Sequence, residues 1–292
     1  MKYLITGPNG FIGSSFLRYL NTIGCNREDV ILITNNPVSG YRNITHSQYS
    51  FSIEEGLYTV FHLAAFIPKS SGDVNSPVAI DNIVTLQNLV QSLHKNLAKF
   101  IFFSTVDVYG SQESIITEKT IPSPISLYGL SKLFGERWLA SISTELQFPL
   151  QILRIGHIYG KGEESYKKLI PTTIRYILGD ISPKITSKGT ELRTFLHIND
   201  CCRMVWSASN LDPLPAFLNI AGEHPRSVLE IVTALIMVSD KKLTPLITGT
   251  SGSGHDLVID PRLRIELIGH ETVDLLDGLR EEYNHTKELQ EV

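Results

Sequence analysis

Tyr128 and Lys132 lie four residues apart in Tyr128-Gly129-Leu130-Ser131-Lys132, at the start of a segment with helical character that runs to about Ile142. Residues four apart on a helix share one face. A phenol with an ordinary pKa near ~10 is a poor base at neutral pH, but an adjacent ammonium stabilises the phenolate by roughly 1–3 units, which brings proton exchange with a hydroxyl or carbonyl within reach. The same spacing also arises from a packed helical tyrosine with a surface lysine, so context has to decide. Upstream, Phe102-Phe103-Ser104-Thr105 reads as the end of a buried strand, where parallel sheets present reactive residues. The hydroxyls of Ser104 and Thr105 can both donate and accept; a strand-end hydroxyl that caps its own backbone is the alternative.

The context is a glycine-rich turn. Gly7-Pro8-Asn9-Gly10-Phe11-Ile12-Gly13 follows a short apolar run, Tyr3–Thr6, and opens a segment of helical periodicity. Glycines there permit a tight turn, close approach of backbone to a pyrophosphate and tight helix-sheet packing, while the helix N-terminus offers N–H groups to the anion. A purely structural strand-turn-helix corner is the competing reading. A phosphate loop of the nucleotide triphosphatase kind does not fit, because no Lys-Ser or Lys-Thr follows Gly13. With a dinucleotide bound, the positive nicotinamide ring joins Lys132 in favouring the Tyr128 phenolate.

Glycines at 7, 10 and 13, followed by the tyrosine and lysine, resemble the short-chain dehydrogenase/reductase family in its extended, nucleotide-sugar-modifying branch. The likeness covers nearly the whole chain, with the motifs in family order. Asn35-Asn36-Pro37-Val38-Ser39-Gly40 stands where that branch often has Asp-Asn-Leu-Ser-x-Gly; His62-Leu63-Ala64-Ala65 ends the next strand, and Asn82 occupies the position of a helical asparagine beside the cofactor. The resemblance implies a doubly wound parallel α/β (Rossmann) sheet with a smaller C-terminal lobe forming the substrate cleft. It implies NAD or NADP held by Gly7, Gly10, Phe11, Ile12, Gly13, Asn35, Arg42, Leu63, Ala64, Ala65, Asn82, Ser104, Tyr128 and Lys132. Counting back from Val108-Tyr109-Gly110 assigns Thr105, with Ser104 beside it, to the substrate oxygen, so that Thr105, Tyr128 and Lys132 form the implied catalytic set. A homodimer through the Tyr128 helix and the Ile80–Leu97 helix is also implied.

Several departures bear on cofactor and substrate. NAD-preferring relatives place an aspartate at the adenosine ribose where this chain has Asn35, which does not repel a 2′-phosphate; Arg42 in the same loop either pairs with such a phosphate or is a solvated cation. Asp107 stands where the 4,6-dehydratases of the family carry an acidic residue as the base that removes a proton next to the keto group, generally a glutamate and often after an aspartate, but here it follows Val106. Arg154-Ile155-Gly156-His157-Ile158-Tyr159-Gly160 resembles the Arg-x-x-Asn-Val-Tyr-Gly of nucleotide-sugar enzymes, with His157 for asparagine, and Arg193 matches the arginine that contacts the nucleotide diphosphate. A structural Arg193–Asp200 pair is the alternative. Ser251-Gly252-Ser253-Gly254 lies where many epimerases have a further phosphate-binding arginine. The reading preferred from the compact chain, Asn35 and His157 is reduction of a nucleotide-linked 4-keto(-6-deoxy)hexose at C4. A 4-epimerase with tightly held NAD is the close alternative, ahead of a 4,6-dehydratase or a non-catalytic cofactor-binding regulator.

These residues need a scaffold. Apolar runs at Tyr3–Thr6, Val30–Thr34, Thr59–Leu63, Phe100–Phe103, Gln151–Ile155 and Phe217–Ile220 read as strands. Helical segments at Phe11–Ile23, Ile80–Leu97, Leu169–Leu178, Ser227–Val238 and Val273–Tyr283 alternate with or follow them. The expected division is a dinucleotide-binding domain over residues 1–160 with 193–222 returning to it, and a substrate lobe over 161–192 and 223–292, its charged tail Glu281–Val292 fraying. A formal charge of −4 offers no broad positive field for nucleic acid or an anionic membrane, and no apolar stretch reaches the ~20 residues of a bilayer span. Three cysteines without C-x-x-C spacing argue against a disulfide framework or zinc, and Gly7-Pro8 interrupts the first apolar run too soon for a signal sequence. A cytoplasmic enzyme is the expectation.

Overall fold

The computed structural model describes residues 2–45, 56–66, 76–112, 115–249 and 255–291. Seven strands form one parallel sheet: β1 (Lys2–Thr6), β2 (Val30–Ile33), β3 (Arg42–Ile44), β4 (Tyr58–His62), β5 (Leu97–Thr105), β6 (Leu150–Ile155) and β10 (Phe217–Ile220). Their order is β10-β6-β5-β4-β1-β2-β3. Every residue of β2 and β4 is buried, as expected of β-branched and aromatic runs covered on both faces. On one face α2 (Ser76–Leu93) and α3 (Leu127–Leu146) pack Leu86, Leu89 and Leu139 into a cluster with Leu4, Val60, Phe100 and Phe102. On α1 (Phe11–Thr22), Phe16 meets Phe61 at 4.9 Å between ring centroids. The chain fills β1, β2 and β3 outward in one direction and then returns to place β4 on the other side of β1. This reversal opens a crevice at the carboxyl ends of β1 and β4, where open α/β sheets bind ligands.

A second set of elements comprises β7 (His157–Tyr159), α4 (Leu169–Leu178), β8 (Lys184–Ile185), β9 (Leu192–His197), β11 (Pro225–Ser227), α6 (Val228–Val238), β12 (Leu246–Ile247), α7 (Arg262–Ile268) and α8 (Leu275–Gln290); α5 (Ile198–Ser209) follows β9. Two compact units result: residues 1–110, 121–155 and 202–220, and residues 111–120, 156–201 and 221–292. These bounds differ from the sequence expectation. The first unit breaks off at 155 because His157–Tyr159 pairs with Phe195–His197 in a separate three-stranded sheet, which also keeps Arg193–Cys201 out of the returning segment. The expected fraying of the tail is corrected too. Helix α8 continues to Gln290 because Leu279, Glu282, Tyr283 and Thr286 recur at helical spacing and are buried, although two of the four are polar.

Within the second unit, Glu163 and Glu282 are 1 % and 0 % exposed. Burial, and next the mutual repulsion of the two carboxyls, hold Glu282 well above the ordinary carboxylate range; burial raises Glu163 as well, against the pull of Lys168, whose Nζ lies 3.6 Å away. Carboxyls with raised folded-state pKa contribute stability that is complete below the unfolded value near ~4.3 and is lost as pH rises through the folded values. The thermal midpoint is therefore expected to fall between about pH 5.5 and about pH 8.5. Glu282→Gln should flatten that fall, stabilising the protein at the upper pH by at least ~1.4 kcal/mol, the equivalent of one pKa unit. Parallel melting curves for wild type and variant across this range would contradict the assignment.

Candidate active site

The first part of the site is the turn from β1 into α1. Gly7 has φ 69°, and a Cβ there would stand 2.8 Å from the Ala64 backbone nitrogen; a Cβ on Gly13 would stand 2.1 Å from the Gly7 carbonyl oxygen. Both glycines are thus required by the chain itself, because the turn, the helix and the segment after β4 converge on one point. Gly10 is different. It is exposed, and a Cβ there would meet only the Gly7 carbonyl oxygen at an ordinary 3.5 Å. Gly10 is the N-cap of α1 without a side-chain cap, and the first turn of the helix carries no acidic residue. Such an end favours an anion, and a bare Gly10 lets the anion approach the backbone.

The other predicted cofactor residues surround this turn unevenly. Asn9 donates to Thr34 Oγ1 (2.8 Å) and to the Asn36 carbonyl (2.7 Å), which draws the exposed Asn35 beside the glycine turn. Arg42 is not in the same loop as expected: it opens β3 opposite Ile31, two residues before the end of β2. Leu63, Ala64 and Ala65 follow β4, half-buried, with the Ala64 amide donating to Thr6 Oγ1 at 3.0 Å. Asn82 on α2 bonds both backbone groups of Phe66 (2.7 and 3.1 Å), so it braces the segment after β4. Phe11 is buried and Ile12 half-buried in the first turn of α1.

The second part is built on β5 and α3. Ser126 caps α3 by accepting from the Gly129 amide, so the helix starts at Leu127 and carries Tyr128 in its first turn. Gly129 lets that turn press on the segment after β5: a Cβ there would lie 2.8 Å from the Asp107 carbonyl oxygen. One turn on, Lys132 is buried and donates to the Phe103 carbonyl at 2.7 Å, with its Nζ 4.9 Å from the Phe102 ring centroid and 6.0 Å from that of Tyr128. Burial brings the Lys132 ammonium down to about 7, against the opposing pull of Glu136. Thr105 is buried at the strand end and its hydroxyl accepts from the Asp107 amide at 3.2 Å, which leaves it a proton to donate. Ser104, by contrast, turns inward and donates to Glu136. Asp107 has an exposed side chain in the turn Val106–Tyr109.

Sequence reasoning gave no role to Glu136, Tyr109 or Asn219. Arg154 donates to both carboxylate oxygens of Glu136 (3.0 and 2.6 Å) and to Tyr109 Oη (2.9 Å), which donates in turn to Asn219 Oδ1 (2.8 Å). The available signal was the recurrence of a polar residue at the next four-residue step after Tyr128 and Lys132.

In the second unit, His157 and Arg193 lie on β7 and β9. The Arg193 guanidinium donates to the Leu192 carbonyl at 2.7 Å and to the His255 carbonyl at 2.5 Å. Burial, then Arg193 and Lys168, push His157 down to about 3, so its imidazole is neutral. Asp200 accepts from Thr272 Oγ1 and from the Thr272 and Val273 amides (2.7, 2.9 and 3.0 Å). Ser251–Gly254 lies outside the described residues. No group of three metal-ligating side chains exists among the described residues, and no helix there is long and apolar enough to cross a membrane.

Comparison with known proteins places this arrangement. The profile of the NAD dependent epimerase/dehydratase family matches residues 3–221. A protein of Bacillus subtilis (strain 168) named as an uncharacterized UDP-glucose epimerase, YtcB, is 30% identical over 275 residues, 84% of each chain. A dTDP-glucose 4,6-dehydratase of an Actinoplanes species is 26% identical over 308 residues, 96% of each chain. Among solved structures, the UDP-glucuronic acid 4-epimerase of Bacillus cereus in complex with UDP-glucuronic acid and NAD superimposes with a TM-score of 0.85 at 27% identity, covering 99% of this chain and 100% of that one.

The glycine turn yields a paired expectation. Gly13→Ala should destabilise the fold strongly, since the new methyl collides with backbone that has nowhere to go. Gly10→Ala should leave the melting temperature nearly unchanged yet weaken dinucleotide binding more than tenfold, a loss of about 1.4 kcal/mol or more. Wild-type dinucleotide affinity in a folded Gly10→Ala protein, measured by titration, would remove the pyrophosphate from this turn.

Proposed function

The chain belongs to the NAD dependent epimerase/dehydratase family, and on that premise we propose that it is an NAD-dependent UDP-sugar 4-epimerase, inverting C4 of a UDP-linked hexose or hexuronic acid. The observation that carries this reading is the whole-chain likeness to a UDP-sugar 4-epimerase. The Thr105, Tyr128 and Lys132 constellation on β5 and α3 supports it. When bound, the nicotinamide supplies the acceptor and donor of the C4 hydride. Tyr128 takes the proton of the C4 hydroxyl and later returns it to the C4 oxygen of the inverted sugar. Lys132, one helical turn away, stabilises the phenolate while charged, and Thr105 donates to the C4 oxygen as negative charge gathers there. Gly7, Gly10 and Gly13 with the first turn of α1 hold the pyrophosphate; Asn35 lies at the adenosine ribose. The position of Arg42 at the start of β3, opposite Ile31, favours NAD over NADP. Arg193 and His157 are assigned to the nucleotide diphosphate by their match to the family's pattern.

This reading replaces reduction of a 4-keto sugar as the first choice. Asn35 and His157 bear on how cofactor and substrate are held, not on whether the cofactor leaves after each turnover, and the 4-epimerase likeness outweighs them. Dehydration is less favoured because Asp107 has no acidic neighbour: the preceding Val106 is a buried apolar residue. A homodimer is supported by exposed apolar residues at helical spacing, Ile80 and Val84 on α2 and Leu127, Leu130 and Phe134 on α3.

The purified protein is expected to interconvert UDP-glucose with UDP-galactose, or UDP-glucuronic with UDP-galacturonic acid, with no net change in nicotinamide absorbance. Tyr128→Phe should keep the fold and NAD binding and lose at least ~100-fold in turnover. Stoichiometric consumption of NAD(P)H by a nucleotide-linked 4-keto sugar, with no C4 interconversion, would restore the reductase; release of a 4-keto-6-deoxy sugar would point to the dehydratase.

A further inference from the structure

Behind Lys132 lies a buried ionic cluster that the reaction as described does not use. Glu136 is 1 % exposed and Arg154 3 %. The guanidinium grips the carboxylate through two parallel hydrogen bonds, is sandwiched 4.8 Å from the Tyr109 ring and 4.7 Å from the Phe217 ring, and gives its third nitrogen to Tyr109 Oη. A pair this deep pays a large desolvation cost, and an apolar pair of similar volume often stabilises a fold better, so its placement invites a role beyond stability.

The placement is specific. Glu136 stands one helical turn beyond Lys132, as Lys132 stands one turn beyond Tyr128. The two inner residues hold successive residues of β5: Lys132 binds the Phe103 carbonyl and Glu136 receives the Ser104 hydroxyl. Two anchors four residues apart on the helix and one apart on the strand define how α3 lies against the end of β5. Thr105 is the next residue on that strand, and Tyr128 begins the same helix face. Around Lys132, the charged and titratable groups are Tyr128 and Glu136 on its own helix, Arg154 from β6 and Tyr109 from the turn after β5, the last two reaching it through Glu136, and His62 of β4, whose ring stacks on the Phe102 ring that Lys132 also touches. Helix α2, which packs Leu86 near Gly135, carries only the exposed Asp81 among its charged residues. Glu136 is therefore the one negative charge that the described structure sets beside a lysine stripped of water.

We propose that Glu136 is a positioning residue: clamped by Arg154 and Ser104, it supplies the charge that keeps Lys132 an ammonium and locks the Tyr128 face of α3 in register with Thr105. The inference rests on the catalytic reading of Tyr128 and Lys132. Removing the charge while keeping the shape should ease proton loss from Lys132, because desolvation then acts unopposed and the Arg154 charge is left unbalanced.

The test is a titration of the full-length protein labelled with carbon-13 at the lysine ε-carbons, with the Lys132 signal identified by its loss in Lys132→Met. In Glu136→Gln, whose amide oxygen can still accept from Arg154 Nε and Ser104 while the bond from Arg154 Nη2 is lost, the Lys132 midpoint should move down by about one unit or more, with the other lysines unmoved. The alkaline limb of the C4-interconversion rate should move to lower pH by the same amount. If the unbalanced Arg154 prevents folding, the double variant Glu136→Gln, Arg154→Met removes that charge and should show a smaller shift in the same direction. A merely structural cluster would lower the melting temperature and leave both readouts in place; an unmoved Lys132 midpoint in whichever variant folds overturns the proposal. A moved midpoint in a protein without C4 interconversion would instead leave Glu136 assigned and discard the epimerase reading.

Discussion

The most demanding constraint in this protein is the convergence of three backbone segments at the carboxyl end of β1. The Gly7 carbonyl oxygen stands where a Gly13 side chain would be, and the Ala64 backbone stands where a Gly7 side chain would be. Only residues without a Cβ allow α1 to start this close to the sheet, and only that closeness aims the helix N-terminus at the crevice made by the reversal of strand order. Gly10, which has room, shows the difference between a glycine the fold requires and one that leaves space for something else. The network around the turn follows from this packing: Asn9 ties it to the end of β2, and Thr6 ties it to the segment after β4.

A second theme is how the chain treats buried charge. In the first unit, Glu136 and Arg154 are matched donor for acceptor, and the remaining guanidinium nitrogen continues through Tyr109 to Asn219. A network so completed is rigid, and removing one member leaves an orphan charge at a cost of about 3–5 kcal/mol. In the second unit, Lys168 at 3.6 Å from Glu163 and a Gly160 backbone contact to Glu282 offset the burial of these carboxyls only in part, so protonation relieves the rest. The second arrangement is sensitive to pH, because burial raises both of its carboxyls. Rigidity thus accompanies the candidate catalytic face, while the titratable pair sits under the C-terminal helix.

Local signals carried far because much of this chain is locally consistent. The strands near 3–6, 30–33, 58–62, 150–155 and 217–220 and the helix Leu169–Leu178 stand where apolar runs and periodicity put them. Glycines at 7, 10 and 13, the Tyr128–Lys132 spacing and the hydroxyls at the end of β5 were enough to point to a dinucleotide enzyme of the extended short-chain type, and the family match agrees. These features are legible because each depends on neighbours within a few residues: a turn, a helical face, a strand end.

What the tertiary structure decided depends on partners distant in sequence. Ser104 and Thr105 are chemically equivalent as neighbours; they diverge because successive strand residues face opposite ways, and Ser104 meets Glu136 from α3. Arg42 looked like a loop residue beside Asn35 until parallel pairing set it opposite Ile31. Residues 193–201 read as a continuation of the first domain, but His157–Tyr159 recruits 195–197 into another sheet. The tail looked too charged to persist as helix, yet the burial of Glu282 and Thr286 depends on a core assembled from α4, α6 and α8. The sequence by itself determined which chemical groups the chain holds and in which local geometry each sits. Pairing between distant strands and packing between helices decided which of those groups meet, because such contacts are set by register and burial across the whole chain and leave no local periodicity to read.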